Sequence, residues 1–288
     1  MQYKIALAQI DCQLGDRAAN LQRHLELTAQ AEQQGAQVIV FPELSLTGYH
    51  LQERVAEMAL PENAPWLEPL RELSQRLDIL CGLVLEGEDH RVYNNAALYF
   101  SAGKILHRHH KVYLPTYGLF EEGKYFARGK ALQAFDHAGG RSGILICEEN
   151  WHPSAANLLW LDGAKIFFSM HCSSAGSEAR SHSALTEPST SPGACRLLSQ
   201  FYARMFGAYF IFVNRVGQEG PFHFWGGSQI INPFGQIEVQ AKLFEPDLLI
   251  HSLDLNKIRE ARLRMPLLRD EDIPLTLREL ARIVNQQV

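Results

Sequence analysis

The sequence predicts a mixed α/β domain, and three observations predict it. Short apolar runs recur between longer stretches with helical periodicity, the alternation of buried strands with surface helices. Two strand-like runs, 92–100 and 104–108, flank Ser101-Ala102-Gly103; this glycine-containing turn marks a hairpin, so the sheet is not purely parallel. The apolar run Ile144-Leu145-Ile146 stops abruptly at Cys147 and gives way to Glu148-Glu149-Asn150-Trp151-His152-Pro153. Pro153 suits the first turn of a helix, so Cys147 marks the point where a core strand passes into a turn and helix.

The elements follow in order. Lys4-Ile5-Ala6-Leu7-Ala8-Gln9-Ile10 is the first strand, and 17–34 is a helix with Leu21, Leu25 and Leu27 on its apolar face and Gly35 at its end. Val38-Ile39-Val40-Phe41 is a second buried strand, stopped by Pro42. A helix at 66–77 precedes the strand 79–85 and the hairpin. Residues 116–126 form a loop dense in aromatics and acids. Strands at 131–135 and 144–146 come next, then a helix at 155–161 and a strand at 165–170. Residues 171–194 are rich in Ser, Thr, Gly and Pro, a long loop expected to act as a lid or contact surface. A helix at 195–208 and strands at 209–214, 229–231 and 248–253 complete the core. Phe224-Trp225-Gly226-Gly227-Ser228 and Asn232-Pro233-Phe234-Gly235 read as turns. Residues 255–288 form a C-terminal helical extension, with helices at 255–264 and 275–284.

Composition bounds the function. A chain of 288 residues with 46% hydrophobic and 20% charged residues buries a large core, and one domain over 1–288 is expected. Its 27 basic and 32 acidic residues give a net charge of -5 with no basic run, which argues against a nucleic-acid partner. The N-terminus lacks the basic-then-apolar layout of a signal peptide and no apolar run is long enough to span a membrane, so a cytoplasmic protein is expected. Cys12, Cys81, Cys147, Cys172 and Cys195 are odd in number, widely spaced and free of C-x-x-C pairs; this is neither a zinc nor a disulfide pattern. His107, His109 and His110 lack Cys or carboxylate partners at ligand spacing, so no metal is expected there.

Three residues stand at strand ends, each with two readings. Glu43 is a turn-capping carboxylate in water, or an acid at the carboxyl end of a strand, where open sheets bind ligands. Lys111, within His110-Lys111-Val112-Tyr113-Leu114-Pro115, is a solvated charge or a cation held near a reacting carbonyl. Cys147 is a buried core thiol, or a nucleophile whose pKa is lowered and whose turn supplies oxyanion donors. Taken together, a thiol, a carboxylate base and a lysine make an acyl-transfer site.

The wording of Phe41-Pro42-Glu43-Leu44-Ser45-Leu46-Thr47-Gly48-Tyr49, His110-Lys111-Val112-Tyr113-Leu114-Pro115 and Ile146-Cys147-Glu148-Glu149-Asn150-Trp151 resembles the Glu, Lys and Cys signatures of the nitrilase, or carbon–nitrogen hydrolase, superfamily. The resemblance implies an α-β-β-α sandwich that dimerises into a four-layer assembly. It implies Glu43 as general base, Lys111 as oxyanion stabiliser with the backbone N–H after Cys147, and Cys147 as nucleophile. A second glutamate in the following loop matches Glu122, with Glu121 as the alternative. Tyr49, Tyr117, Phe120, Glu148 and Trp151 are candidate substrate-binding residues, some of the aromatics reading equally as core. The stretch from Leu114 to Phe126 is similar to the glutaminase domain of glutamine-dependent NAD synthetases, here without a Gly-rich phosphate loop or an attached synthetase. The expected function is a cysteine-dependent amidase acting on a small linear amide, without metal or organic cofactor, as a homodimer or higher homo-oligomer. The alternatives are a free-standing glutaminase serving a separate NAD synthetase, an N-carbamoyl hydrolase, a nitrilase and a catalytically silent scaffold.

Overall fold

Side-chain alternation along the strands builds two sheets, each with two apolar faces. The computed structural model describes residues 1–87, 91–175 and 191–287. Its strands are β1 (Gln2–Gln9), β2 (Val38–Val40), β3 (Asp78–Glu86), β4 (Tyr93–Ser101), β5 (Lys104–His110), β6 (Phe135–His137), β7 (Gly140–Ile146), β8 (Ile166–His171), β9 (Ser174–Ala175), β10 (Tyr209–Asn214), β11 (Val216–Glu219), β12 (Phe222–Trp225), β13 (Gln229–Ile231), β14 (Ile237–Gln240) and β15 (Asp247–Asp254). One sheet runs β15-β1-β2-β3-β4-β5 and the other β14-β13-β10-β8-β7-β6, while β11, β12 and β9 form a small third sheet. The centres are parallel, β1-β2-β3 and β7-β8-β10, and hairpins extend the edges.

Alternate residues meet between the sheets: Tyr3, Ile5 and Leu7 of β1 and Val38 and Val40 of β2 share one core with Ile144, Ile146, Phe168, Met170 and Ile211. The other face of the first sheet, with Ala6, Ile39 and Leu83, packs under Leu27 and Ala31 of the helix Arg17–Gln33 and Leu70 of the helix Glu68–Leu73. The other face of the second sheet, with Leu145, Phe167 and Phe210, lies under the helices Pro153–Leu161 and Pro192–Phe206. The result is the expected α-β-β-α sandwich. Phe168 is fully buried in the central seam, and its truncation to Ala would cost roughly 3–5 kcal/mol.

Several element bounds differ from the sequence reading. The strand expected at 131–135 is displaced to Phe135–His137, where pairing with β7 begins. The expected 66–77 helix is a tight turn at Pro65–Leu67 followed by a helix that stops at Leu73. Phe224 and Trp225, read as turn, belong to β12; the turn itself is Gly226 and Gly227, both at positive φ. Of the segment 171–194, His171 ends β8, Ser174–Ala175 forms β9, and Ser191 caps the helix that starts at Pro192, its Oγ accepting from the Ala194 N–H. Residues 176–190, the bulk of the expected lid, lie outside the described residues. The C-terminal extension contains the helices Asn256–Arg264, Leu267–Asp270 and Ile273–Gln287. Among the described residues no helix is long and apolar enough to cross a membrane.

Candidate active site

The carboxyl ends of the parallel strands converge at one edge of the sandwich. β2 ends at Val40, and Glu43 follows in a turn whose next residue, Leu44, has φ 46°. The turn presses against β3 at Gly82, where a Cβ would run into the Leu44 amide and the Pro42 carbonyl, so only glycine fits. Glu43 is therefore buried, not a cap in water. Its Oε1 accepts from Lys111 Nζ at 2.7 Å and Asn95 Nδ2 at 2.7 Å, and its Oε2 from the Cys172 N–H at 2.9 Å.

Lys111 follows β5 directly and is fully buried. Its ammonium also donates to Glu122 Oε1 at 2.7 Å, and the same oxygen accepts from the Tyr49 hydroxyl at 2.8 Å. Burial opposes the charge on Lys111, but Glu122 and Glu43 outweigh it and hold its pKa well above the ordinary lysine value. Burial raises Glu122 to about 7 against the pull of Lys111. Glu122 Oε2 is buried and has no hydrogen-bond partner among the described residues. The choice left open between Glu121 and Glu122 falls to Glu122, since Glu121 is exposed.

Cys147 follows β7 with φ 45°, a left-handed conformation costly for a non-glycine residue and concentrated at functional sites. It is 9% exposed. The expectation of a lowered thiol pKa is overturned. Burial, then the negative charge of Glu43, raise Cys147 well above the usual thiol value, and Lys111 offsets only part of this. The resting sulfur is a neutral thiol beside a carboxylate.

Sequence reasoning missed the residue that ties the lysine strand to the cysteine turn. Glu149 is fully buried, and its carboxylate accepts from the Ile146 N–H, the Val112 N–H and His109 Nε2, each at 2.7 Å. One side chain thus sets the position of Lys111 relative to Cys147. The sequence showed only an acid two residues after the cysteine; its burial was not legible there. A second brace was also missed: Glu219 pairs with the buried Arg215 and accepts the Tyr49 and His50 N–H groups at 2.8 and 2.9 Å, fixing the loop that carries Tyr49. Breaking such a buried pair costs roughly 3–5 kcal/mol.

The remaining predicted residues divide. Tyr49 is buried and holds Glu122 through its hydroxyl, so it serves the floor of the site. Tyr117 donates to Glu148 Oε2 at 2.7 Å, and burial with the Glu148 carboxylate raises its pKa. Phe120 packs edge-on against Tyr49 and Tyr117 and tilted on Phe222, in an aromatic cluster. Trp151 packs with Cys195, Phe212 and Trp225. Of the three histidines, His109 is bound to Glu149 and His107 stacks on Phe135.

Comparison with known proteins places this geometry. The chain is 29% identical over 261 residues to the glutamine-dependent NAD(+) synthetase of Acinetobacter baylyi, a match that covers 89% of this chain and 45% of that protein. The chain thus spans less than half the length of that relative. The crystal structure of a carbon–nitrogen hydrolase from Helicobacter pylori superposes with a TM-score of 0.83 at 22% identity, over 97% of this chain and 99% of that one. A glutamate-to-glutamine mutant of an amidase from Nesterenkonia, showing the acetamide moiety of fluoroacetamide added covalently at its active-site cysteine, matches with a TM-score of 0.74 at 25% identity, over 93% of this chain and 96% of that one. The carbon–nitrogen hydrolase family profile matches residues 4–263, and this chain belongs to that family.

Proposed function

We propose that this carbon–nitrogen hydrolase is a cysteine-dependent amidase that cleaves a small linear carboxamide through a thioester. The observation that carries the reading is the Lys111 ammonium, buried between Glu43 and Glu122 beside the strained Cys147 turn. Glu43 takes the thiol proton as sulfur attacks the carbonyl carbon, and the C–S bond forms. Lys111, with the backbone N–H after Cys147, stabilises the oxyanion. The C–N bond then breaks, the proton passes from Glu43 to the leaving nitrogen, and ammonia departs. Water next gives its proton to Glu43 and adds to the thioester. The C–S bond breaks and the proton returns to sulfur, so amide and water yield acid and ammonia. Glu122 Oε2, an acceptor without a partner among the described residues, suits the substrate's amide N–H.

Glu148 and Tyr117 favour an amide whose far end is cationic, since a carboxylate stands beside the nucleophile. Glutamine offers its α-ammonium to such a carboxylate, though its α-carboxylate needs a separate partner, and the similarity to a glutamine-dependent synthetase favours it, so a glutaminase supplying a separate NAD synthetase is the second reading. The homodimer, implied by the family resemblance, is supported by Leu197, Phe201 and Met205, apolar and exposed along the helix Pro192–Phe206. Ammonia release from glutamine, asparagine, ω-amides, N-carbamoyl amino acids and nitriles tests the reading. Turnover of amides that disappears in Cys147→Ala supports it; turnover of nitriles alone would replace it.

A further inference from the structure

Behind the nucleophile lies a line of polar side chains that the Glu43–Lys111–Glu122 chemistry does not use. Ser173 Oγ stands 4.0 Å from Cys147 Sγ, 4.0 Å from Cys195 Sγ and 3.1 Å from His171 Nδ1. His171 Nε2 meets Asn150 Nδ2 at 2.6 Å and Ser169 Oγ at 2.7 Å. With the Asn150 NH₂ directed at Ser169 and His171, Nε2 accepts and the ring proton is assigned to Nδ1, toward Ser173 Oγ; this orientation leaves Asn150 Oδ1 buried without a partner among the described residues. The Ser173 main chain is clamped by Asn214, which accepts its N–H at 2.9 Å and donates to its carbonyl at 3.1 Å. Every group in this line is buried.

We infer that Ser173 is a hydroxyl donor to the Cys147 sulfur and that His171 is a positioning residue that frees the Ser173 proton for this bond. The inference rests on Cys147 being the nucleophile. With His171 Nδ1–H occupying a lone pair of Ser173 Oγ, the Ser173 O–H must point elsewhere, and two sulfurs are within reach. While Cys147 is a thiol they compete as weak acceptors. Once Glu43 has taken the Cys147 proton, the anionic sulfur is far the better acceptor and the hydroxyl turns to it. The bond therefore strengthens when sulfur carries charge, both at attack and when the thiolate leaves the acyl group in the second half of the reaction. Burial, with Lys111 nearby, holds His171 down to about 3, so it stays neutral across the working range. The charged groups that face Cys147 are Glu43, Lys111 and Glu122.

The test measures, in the full chain, the rate of Cys147 alkylation by iodoacetamide against pH, together with kcat and KM for ammonia release. Ser173→Ala should slow alkylation about tenfold near neutral pH, move the thiol titration upward, and lower kcat by a similar factor with KM nearly unchanged. Ser173→Thr should restore both rates, and His171→Asn should lower them less. Wild-type alkylation in folded Ser173→Ala, a rise in KM alone, or wild-type rates in His171→Asn would overturn the relay. An active Cys147→Ala overturns the nucleophile assignment instead, which separates the two failures.

Discussion

The floor of the site and its mouth are built by opposite means. On the floor, Glu43, Lys111 and Glu149 are almost wholly excluded from solvent, and each polar head has two or three partners supplied from separate segments of the chain. At the mouth, Tyr117 is 49% exposed and the neighbouring Leu119 is 51% exposed, while Glu148, itself largely buried, is held by one short bond plus a looser approach to His152 at 3.7 Å. A floor held from every side has little freedom to adjust to a substrate; on the proposed reading it would fix the chemistry. A mouth with few restraints can change its contacts without disturbing the floor, and on the same reading substrate choice would lie there.

The sharpest break in that contrast is Cys147→Ala, expected to lose several orders of magnitude in turnover with the fold intact. Retention of a tenth of the wild-type rate would place the nucleophile elsewhere. Next, Lys111→Ala and Glu43→Gln should each lower acylation by about 10²–10³-fold in single-turnover experiments. A well-folded variant of either that acylates at full speed refutes the floor as drawn.

Glu149→Gln probes positioning. The amide replaces an acceptor with a donor against one of three groups, which should cost roughly 1–3 kcal/mol of stability by denaturant titration and lower kcat more than it changes KM. A change confined to KM would move Glu149 from floor to mouth. At the mouth itself, Glu148→Gln should raise KM about tenfold for a cationic amide and leave a neutral amide of similar length nearly unaffected. Equal effects on both would show that the mouth does not read charge.

The smallest effect is in pH. Burial lifts Glu122 from 4.5 to about 7, so its folded form holds a proton more tightly than the unfolded chain does. Its contribution to stability is fully present below about pH 4.5 and is lost as pH rises through 7. The melting temperature of the wild type relative to Glu122→Gln should therefore fall between pH 5 and 8 and level off above; a flat difference would remove the shift.

Local sequence determined the sandwich layers and the three signature residues. Alternating apolar positions in β1, β2 and β7 are short-range information, and so is the position of Glu43, Lys111 and Cys147 where an apolar run stops. What the chain could not display locally is distance through space. Glu43 meets Lys111 across 68 sequence positions and the Cys172 N–H across 129. The selection of Glu122 over Glu121, the clamp at Glu149, the Ser173–His171 line and the upward shift of the thiol all depend on which groups the two packed sheets bring together in a water-poor interior. There, burial and neighbouring charges decide protonation, and neither is set by a residue's immediate neighbours in sequence.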